Sequence, residues 1–293
     1  METTTVDDAF AQFSGIGTAY LRALESTRAD RLINDPFADV LTRDSRGELE
    51  QRLSTDPDSL WVDMVAIRTR YVNEALAHRD ATIHQIVFLG AGLDTRAYYL
   101  ESLRDCHVLE IDQGSQPFDR KREVMKAEQV LPITKKLDYI VAHLAEDDWD
   151  SKLRGHGFDP RVATFWVMEG LLPYMERSAI WTLLDTIDAM SAPGSTLWAD
   201  MAGQAIFTFA DMGDRAMKHS EDDPMRGVLS QIPWCLKLQA SLVNAGTHFG
   251  RSWPPLASTD GKRSVPIPIS FLIGQKPVPT EAREKDVCPG LEA

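Results

Sequence analysis

Residues 85–112 read QIVFLGAGLDTRAYYLESLRDCHVLEID. Ile86-Val87-Phe88-Leu89 is a short apolar run ended by glycine, the pattern of a parallel strand buried on both faces. Gly90-Ala91-Gly92 follows at once, so the chain turns tightly and leaves bare backbone open to close approach. A helical stretch leads to a second apolar run, His107-Val108-Leu109-Glu110-Ile111, which ends on Asp112. An acid about 20 residues beyond the glycines of such a strand-turn-helix-strand unit is the arrangement that grips a nucleoside ribose. Gly-x-Gly after a strand also occurs as a plain tight turn. Asp112, placed to accept from two ribose hydroxyls, favours the nucleoside reading.

The loop residues narrow the nucleoside. A dinucleotide fingerprint requires a third glycine where Thr95 stands, so that a pyrophosphate can rest on a helix N-terminus. Here the loop is Gly90-Ala91-Gly92-Leu93-Asp94-Thr95. Asp94 sets negative charge where a phosphate would lie. A cationic cofactor without phosphate fits better, and S-adenosylmethionine is the common one. An NAD-dependent oxidoreductase is the rival that Asp94 and Thr95 oppose.

Outward from this unit, strand and helix patterns alternate. A helix is expected over Ser115 to Leu131 and a third strand at Tyr139-Ile140-Val141-Ala142. Ala163 to Met168 forms a fourth strand ending at Glu169-Gly170, Ser178 to Met190 an amphipathic helix, and Thr196 to Ala199 a fifth strand. Pro268 to Gly274 reads as the last. Such alternation implies an α/β fold with a doubly wound, mostly parallel sheet. Residues 10–79 hold no strand pattern and are expected to form a helical N-terminal cap, with Asp35 as cap and Pro36 opening a helix. From Leu60, the residues Met64, Ile67, Tyr71 and Ala75 share a helical stripe, and Arg68 lies at its edge. An arginine there can fork onto a carboxylate or simply snorkel to a surface ion pair.

Residues 80–202 form the expected cofactor-binding core of a single domain, and 203–260 a helical insertion covering the substrate. Within it, Leu236 to Ala245 reads as a helix stopped by Gly246. The tail, 278–293, reads as disordered. The chain has 293 residues and a formal net charge of −13, which argues against nucleic acid or an anionic membrane as partner. Cys106, Cys235 and Cys288 are scattered and suggest neither a disulfide framework nor a zinc site. With no secretory signal or membrane-length apolar run, a cytoplasmic protein is expected.

Several stretches together resemble the leucine carboxyl methyltransferase family, including its bacterial and fungal small-molecule branch. They are Arg22-Ala23-Leu24-Glu25, Asp35-Pro36-Phe37-Ala38, Arg68-Thr69-Arg70, Leu89 to Arg96, Glu110-Ile111-Asp112-Gln113 and Glu169-Gly170-Leu171-Leu172-Pro173-Tyr174-Met175. The resemblance implies a class I S-adenosylmethionine-dependent, Rossmann-like fold with a seven-stranded sheet. It carries Arg68 to the methionine carboxylate, the Gly90 to Gly92 turn to the methionine part, and Glu169 to the amino group. Asp94, Thr95 and Gln113 fall within the same motifs and join the expected cofactor contacts. After the third strand the family shows Asp-Leu toward adenine. This chain has His143-Leu144, so a neutral imidazole or the backbone must serve.

Methyl transfer is an in-line displacement at carbon, in which the protein aligns the nucleophile, excludes water and, where needed, removes a proton. A carboxylate, with a pKa near 4, is already ionised at neutral pH, whereas a phenol near 10 benefits from a base. No His/Asp dyad of obvious spacing is present. The missing dyad agrees with a carboxyl acceptor, and the resemblance to the small-molecule branch implies a small-molecule carboxylic acid, with a phenol or hydroxyl acceptor served by His219 or His248 as the alternative. A silent cofactor-binding module is the non-enzymatic alternative. Tyr174 is the candidate catalytic hydroxyl, and Arg215, Lys218, Arg226 and Arg251 are candidate anion clamps.

Overall fold

The computed structural model describes residues 6–53, 55–145, 148–205, 217–242, 246–253, 256–257, 264–265 and 269–279. Four helices precede the first strand: α1 (Val6–Thr27), α2 (Ala38–Thr42), α3 (Arg46–Arg52) and α4 (Leu60–Ala77). The core follows as β1 (Gln85–Leu89), α5 (Arg96–Tyr99), β2 (His107–Asp112), α6 (Gln116–Ala127), β3 (Lys136–Val141), α7 (Trp149–Gly155), β4 (Thr164–Met168), α8 (Arg177–Ala189) and β5 (Thr196–Ala202). Beyond it lie β6 (Cys235–Ser241), β7 (Gly246–His248), β8 (Arg251–Trp253), β9 (Leu256–Ala257), β10 (Ser264–Val265) and β11 (Ile269–Gln275).

Seven strands form one sheet in the order β3-β2-β1-β4-β5-β11-β6. The first five run parallel, and β11 enters antiparallel between β5 and β6. The order reverses between β1 and β4, so the crevice beyond their carboxyl ends is where ligands bind in open sheets.

Strand alternation creates two cores. Ile86, Phe88, Val108, Phe165 and Val167 face one side with Ile67, Val72 and Leu76 of α4. Val87, Leu89, Leu109, Ile111, Trp166 and Met168 face the other, against Leu153 of α7 and Ile180, Leu183, Leu184 and Ile187 of α8. Those four α8 residues, spaced i, i+3, i+4 and i+7, are essentially inaccessible, each contributing roughly 1.5–3 kcal/mol of burial.

Helix α4 is buried on two sides, which widens the stripe read from its sequence. Its Val62 and Val65 pack with Tyr20 and Leu21 of α1, while Ile67 and Val72 meet the sheet. Arg68 thus emerges between α1 and the strand ends. Asp35 accepts from the backbone N–H groups of Phe37 and Ala38, both at 3.1 Å, but α2 begins only at Ala38 with Phe37 as its N-cap, so Asp35 and Pro36 form the turn before the helix rather than its cap and first position.

Two expectations are corrected beyond β5. The segment Cys235–Ser241 is strand, not helix, although Leu, Lys, Gln and Ala all favour helix locally. Pairing with β11 and the 2.8 Å bond from Trp198 Nε1 to Gln239 Oε1 hold it extended. Residues 206–216 lie outside the described residues. The chain from 217 to 233 is irregular apart from a short 3₁₀ turn at Val228–Gln231, so it is not a helical cover. The segment expected to be disordered lies outside the described residues from 280 onward. Cys106 is a buried free thiol. Among the described residues, no helix is long and apolar enough to cross a membrane.

Candidate active site

Three neighbouring strands end at one place. The end of β1 delivers Gly90-Ala91-Gly92, that of β4 Glu169-Gly170, and β5 contributes Asp200; α1 and α4 lie across them. Between them is a cavity of about 90 Å³. Ser14, Thr18 and Arg22 of α1 and Arg68 of α4 line it on the helical side. Gly90, Ala91, Asp94, Glu169, Gly170 and Tyr174 line it on the sheet side.

The glycines are required by geometry. Gly90 has φ +69°, and a Cβ there would sit 3.1 Å from Leu171 Cδ1. Gly170 has φ +64°, and its missing Cβ leaves room for Arg68 Nη1 at 3.1 Å from that position. Both backbone positions disfavour any side chain.

Charges form a continuous network at the cavity floor. Arg68 Nε donates to Glu169 Oε1 at 3.0 Å, and Arg96 Nη2 pairs with Glu169 Oε2 at 2.9 Å. Arg96 also binds the Asp94 carboxylate and, through Nε, Asn73 Oδ1 at 2.7 Å. Arg68 Nη1 reaches Asp200 Oδ2 at 3.4 Å, and Asp200 Oδ1 accepts from Gly170 N–H at 2.6 Å. Arg22 spans Asp35 Oδ2 at 2.9 Å and the Leu93 carbonyl at 2.8 Å.

Burial on its own would raise the Glu169 carboxyl, but the Arg96 and Arg68 guanidiniums outweigh it and hold the pKa at about 2. Burial raises Asp200, with Arg68 only partly opposing the shift. The Tyr174 phenol is also pushed up by burial; its hydroxyl lies 3.0 Å from Ser14 Oγ. It therefore stays protonated at neutral pH, a hydroxyl able to donate and not a base.

Asp112 lies at the end of β2 beside the cavity. Its Oδ2 accepts from Gly92 N–H at 2.8 Å and its Oδ1 from Gly114 N–H at 3.3 Å. Burial raises its pKa while these backbone bonds oppose that. Ala142 N–H donates to the Asp112 carbonyl at 2.9 Å, which brings His143 and Leu144 to the same edge. His143 is half-buried and its Nδ1 accepts from Ala145 N–H at 3.3 Å. Gln113 is exposed.

Of the residues expected at the cofactor, Arg68, Gly90, Ala91, Asp94 and Glu169 line the cavity. Gly92, Asp112, Gln113, His143 and Leu144 follow the adjoining sheet edge. Thr95 is turned inward, its hydroxyl donating to Asp35 Oδ2 at 2.7 Å, and so joins α2 to the glycine turn.

The candidate anion clamps do not meet here. Arg215 lies outside the described residues. Lys218 is exposed. Arg226 is exposed beside Asp223, and Arg251 is buried against Glu25 and Asp63. His219 lies 3.0 Å from Glu221, and His248 bonds Tyr71. The cationic lining is instead Arg22 and Arg68. Asp200 was also missed. A lone acid in the apolar run TLWADMA was its signal, because buried charges survive only when paired.

The cluster of Asp35, Asp94, Asp112, Glu169 and Asp200 outnumbers Arg22, Arg68 and Arg96, so its balance is acidic. A cationic cofactor fits that balance; a pyrophosphate does not. The positive-φ glycines supply a cradle that side chains would fill, and Asp112 is a carboxylate at the sheet edge.

The fold is that of the seven-stranded methyltransferase class. Two solved structures share the fold: a methyltransferase-titled protein of Thermobifida fusca (TM-score 0.53, 14% identity, covering 89% of this chain and 94% of that one) and a DUF574 family protein of Streptomyces avermitilis (TM-score 0.53, 15%, 89% and 97%). The profile of the leucine carboxyl methyltransferase family matches residues 15–188, and the chain belongs to that family. A protein of Saccharopolyspora erythraea named for S-adenosyl-L-methionine-dependent methyl transfer is 37% identical over 246 residues, spanning 75% of this chain and 84% of its own. A Mycolicibacterium vanbaalenii protein of the same name is 37% identical over 226 residues, 72% and 73% respectively.

Proposed function

We propose that this chain is a cytosolic S-adenosylmethionine-dependent O-methyltransferase that esterifies the carboxyl group of a small-molecule acid. The cofactor is S-adenosyl-L-methionine, in keeping with family membership and the relatives' names. When bound, it supplies a methyl carbon made electrophilic by the sulfonium. Asp112 would hold the ribose hydroxyls, and the glycine turn would line the methionine part. Arg68 would take the methionine carboxylate and Glu169 the amino group, while His143 and Leu144 would border the adenine.

The lining of the cavity carries the choice of acceptor. Apart from the residues given above to the cofactor, its polar lining is the hydroxyls of Ser14 and Thr18 and the Arg22 guanidinium on the helical side, with Tyr174 opposite. No imidazole lines it among the described residues. Donors attract a carboxylate, and an ionised carboxylate needs no base. In this reading Tyr174 donates to the acceptor and orients it, and α1 excludes water.

The test is transfer from methyl-labelled S-adenosylmethionine to panels of carboxylic acids and phenols, followed by mild alkali. Methyl esters release the label as methanol. Label that survives alkali on a phenolic product would overturn the carboxyl assignment. Isothermal titration with S-adenosylhomocysteine, with NAD as control, tests the cofactor directly, and binding of NAD alone would remove it.

A further inference from the structure

Glu110, two residues before Asp112, is a buried charged side chain that its motif does not explain. Its side chain points into the layer between sheet and α6, where it meets Lys121. Both residues are fully buried. Lys121 Nζ binds Glu110 Oε2 and donates to the Asp94 carbonyl at 3.1 Å. Its remaining face lies 5.1 Å from the Phe118 ring centre and 4.8 Å from that of Tyr139. Those two rings stack, and the Tyr139 hydroxyl is 2.7 Å from that of Tyr98.

An ion pair this deep seldom stabilises a fold more than apolar residues of the same size. Here it is incompletely satisfied, since Glu110 Oε1 has no hydrogen-bond partner among the described residues. Stability is thus a poor account of it, and the Asp94 carbonyl supplies a better one. Asp94 closes the glycine turn: its N–H donates to the Ala91 carbonyl at 3.0 Å, while Ala91 N–H donates to Ile111 at 2.9 Å. The turn is therefore bound to β2 at its entrance and to Lys121 at its exit. Glu110 holds Lys121 from the same strand that presents Asp112.

We propose that Lys121, held by Glu110, is a positioning residue that fixes the glycine turn relative to Asp112 through the Asp94 carbonyl and so sets cofactor affinity. The ammonium can be the tether because it alone offers donors to both the carboxylate and the carbonyl. An apolar pair would fill the space and leave the carbonyl unheld. The proposal rests on the S-adenosylmethionine reading only for the identity of the ligand; the tether itself is a property of the protein without cofactor.

The test uses the full chain with Glu110→Leu/Lys121→Met, Lys121→Met and Glu110→Gln. Three readouts are needed: thermal midpoint, backbone amide exchange over residues 91–95, and titration with S-adenosylhomocysteine. The double variant should melt within a few degrees of wild type, exchange those amides at least ten-fold faster, and bind at least ten-fold more weakly. Glu110→Gln keeps the Lys121 donor and should lose no more than about three-fold in affinity. Wild-type exchange and affinity in the double variant would overturn the proposal. If the double variant does not fold, Glu110→Gln decides alone: a loss of ten-fold or more, with the turn's exchange unchanged, would show that charge and not tethering matters. If wild type itself fails to bind S-adenosylhomocysteine, the functional reading falls, and the exchange data still test the tether.

Discussion

Replacing Glu169 with Gln keeps the shape of the side chain and removes the charge that joins Arg68 to Arg96. Its carboxyl titrates at about 2 in the folded protein, against about 4.3 for an unperturbed glutamate. A folded pKa below the unfolded one means that the ionised carboxylate stabilises the native state. That contribution is fully present above the unfolded pKa and is lost as the pH falls through the folded one. That depression corresponds to about 3 kcal/mol at pH 7 and to roughly half of that or less at pH 3. Urea unfolding of wild type and Glu169→Gln at pH 7, 5 and 3 reads this directly. The variant should be about 3 kcal/mol less stable at pH 7, with the gap at least halved by pH 3. A gap that stays constant across this range, or no gap at pH 7, would refute the view that the two guanidiniums control this carboxyl.

Other expectations concern the cofactor. Asp112→Ala should weaken S-adenosylhomocysteine at least about 100-fold by titration, because two hydrogen bonds to a charged acceptor, each about 1.5–3 kcal/mol, are lost; unchanged affinity would remove the ribose assignment. Arg68→Ala should weaken S-adenosylmethionine by a larger factor than adenosine, whereas equal losses would show that Arg68 does not hold the methionine carboxylate. Gly90→Ala, at φ +69° and 3.1 Å from Leu171, should cost at least about 1–2 kcal/mol in unfolding free energy. An alanine variant as stable as wild type would contradict the left-handed turn.

The parallel core was legible because a strand buried on both faces must be continuously apolar, and β1 and β4 announce themselves that way. The acid at Asp112 and the positive-φ glycines were legible for a related reason: few residue types can occupy those places. The β6 error has a different origin. Local propensity favours helix in CLKLQAS, but the hydrogen bonds that make it a strand come from β11, about 30 residues away.

By itself the sequence determined the parallel strands, the glycine turn and the acid that ends β2, since each is specified by short-range pattern and by residues with few alternatives. Only the tertiary structure decided which charges meet. Arg68 and Asp200 are 132 residues apart and Glu169 lies between them in sequence, so no spacing rule brings them together. Strand order does so, by setting β4 and β5 side by side beneath α4. It also reassigned the cationic lining to Arg22 and committed Arg251 to Glu25. A side chain's charge is written in the sequence, whereas its partner, and hence its chemistry, depends on which strand ends become neighbours.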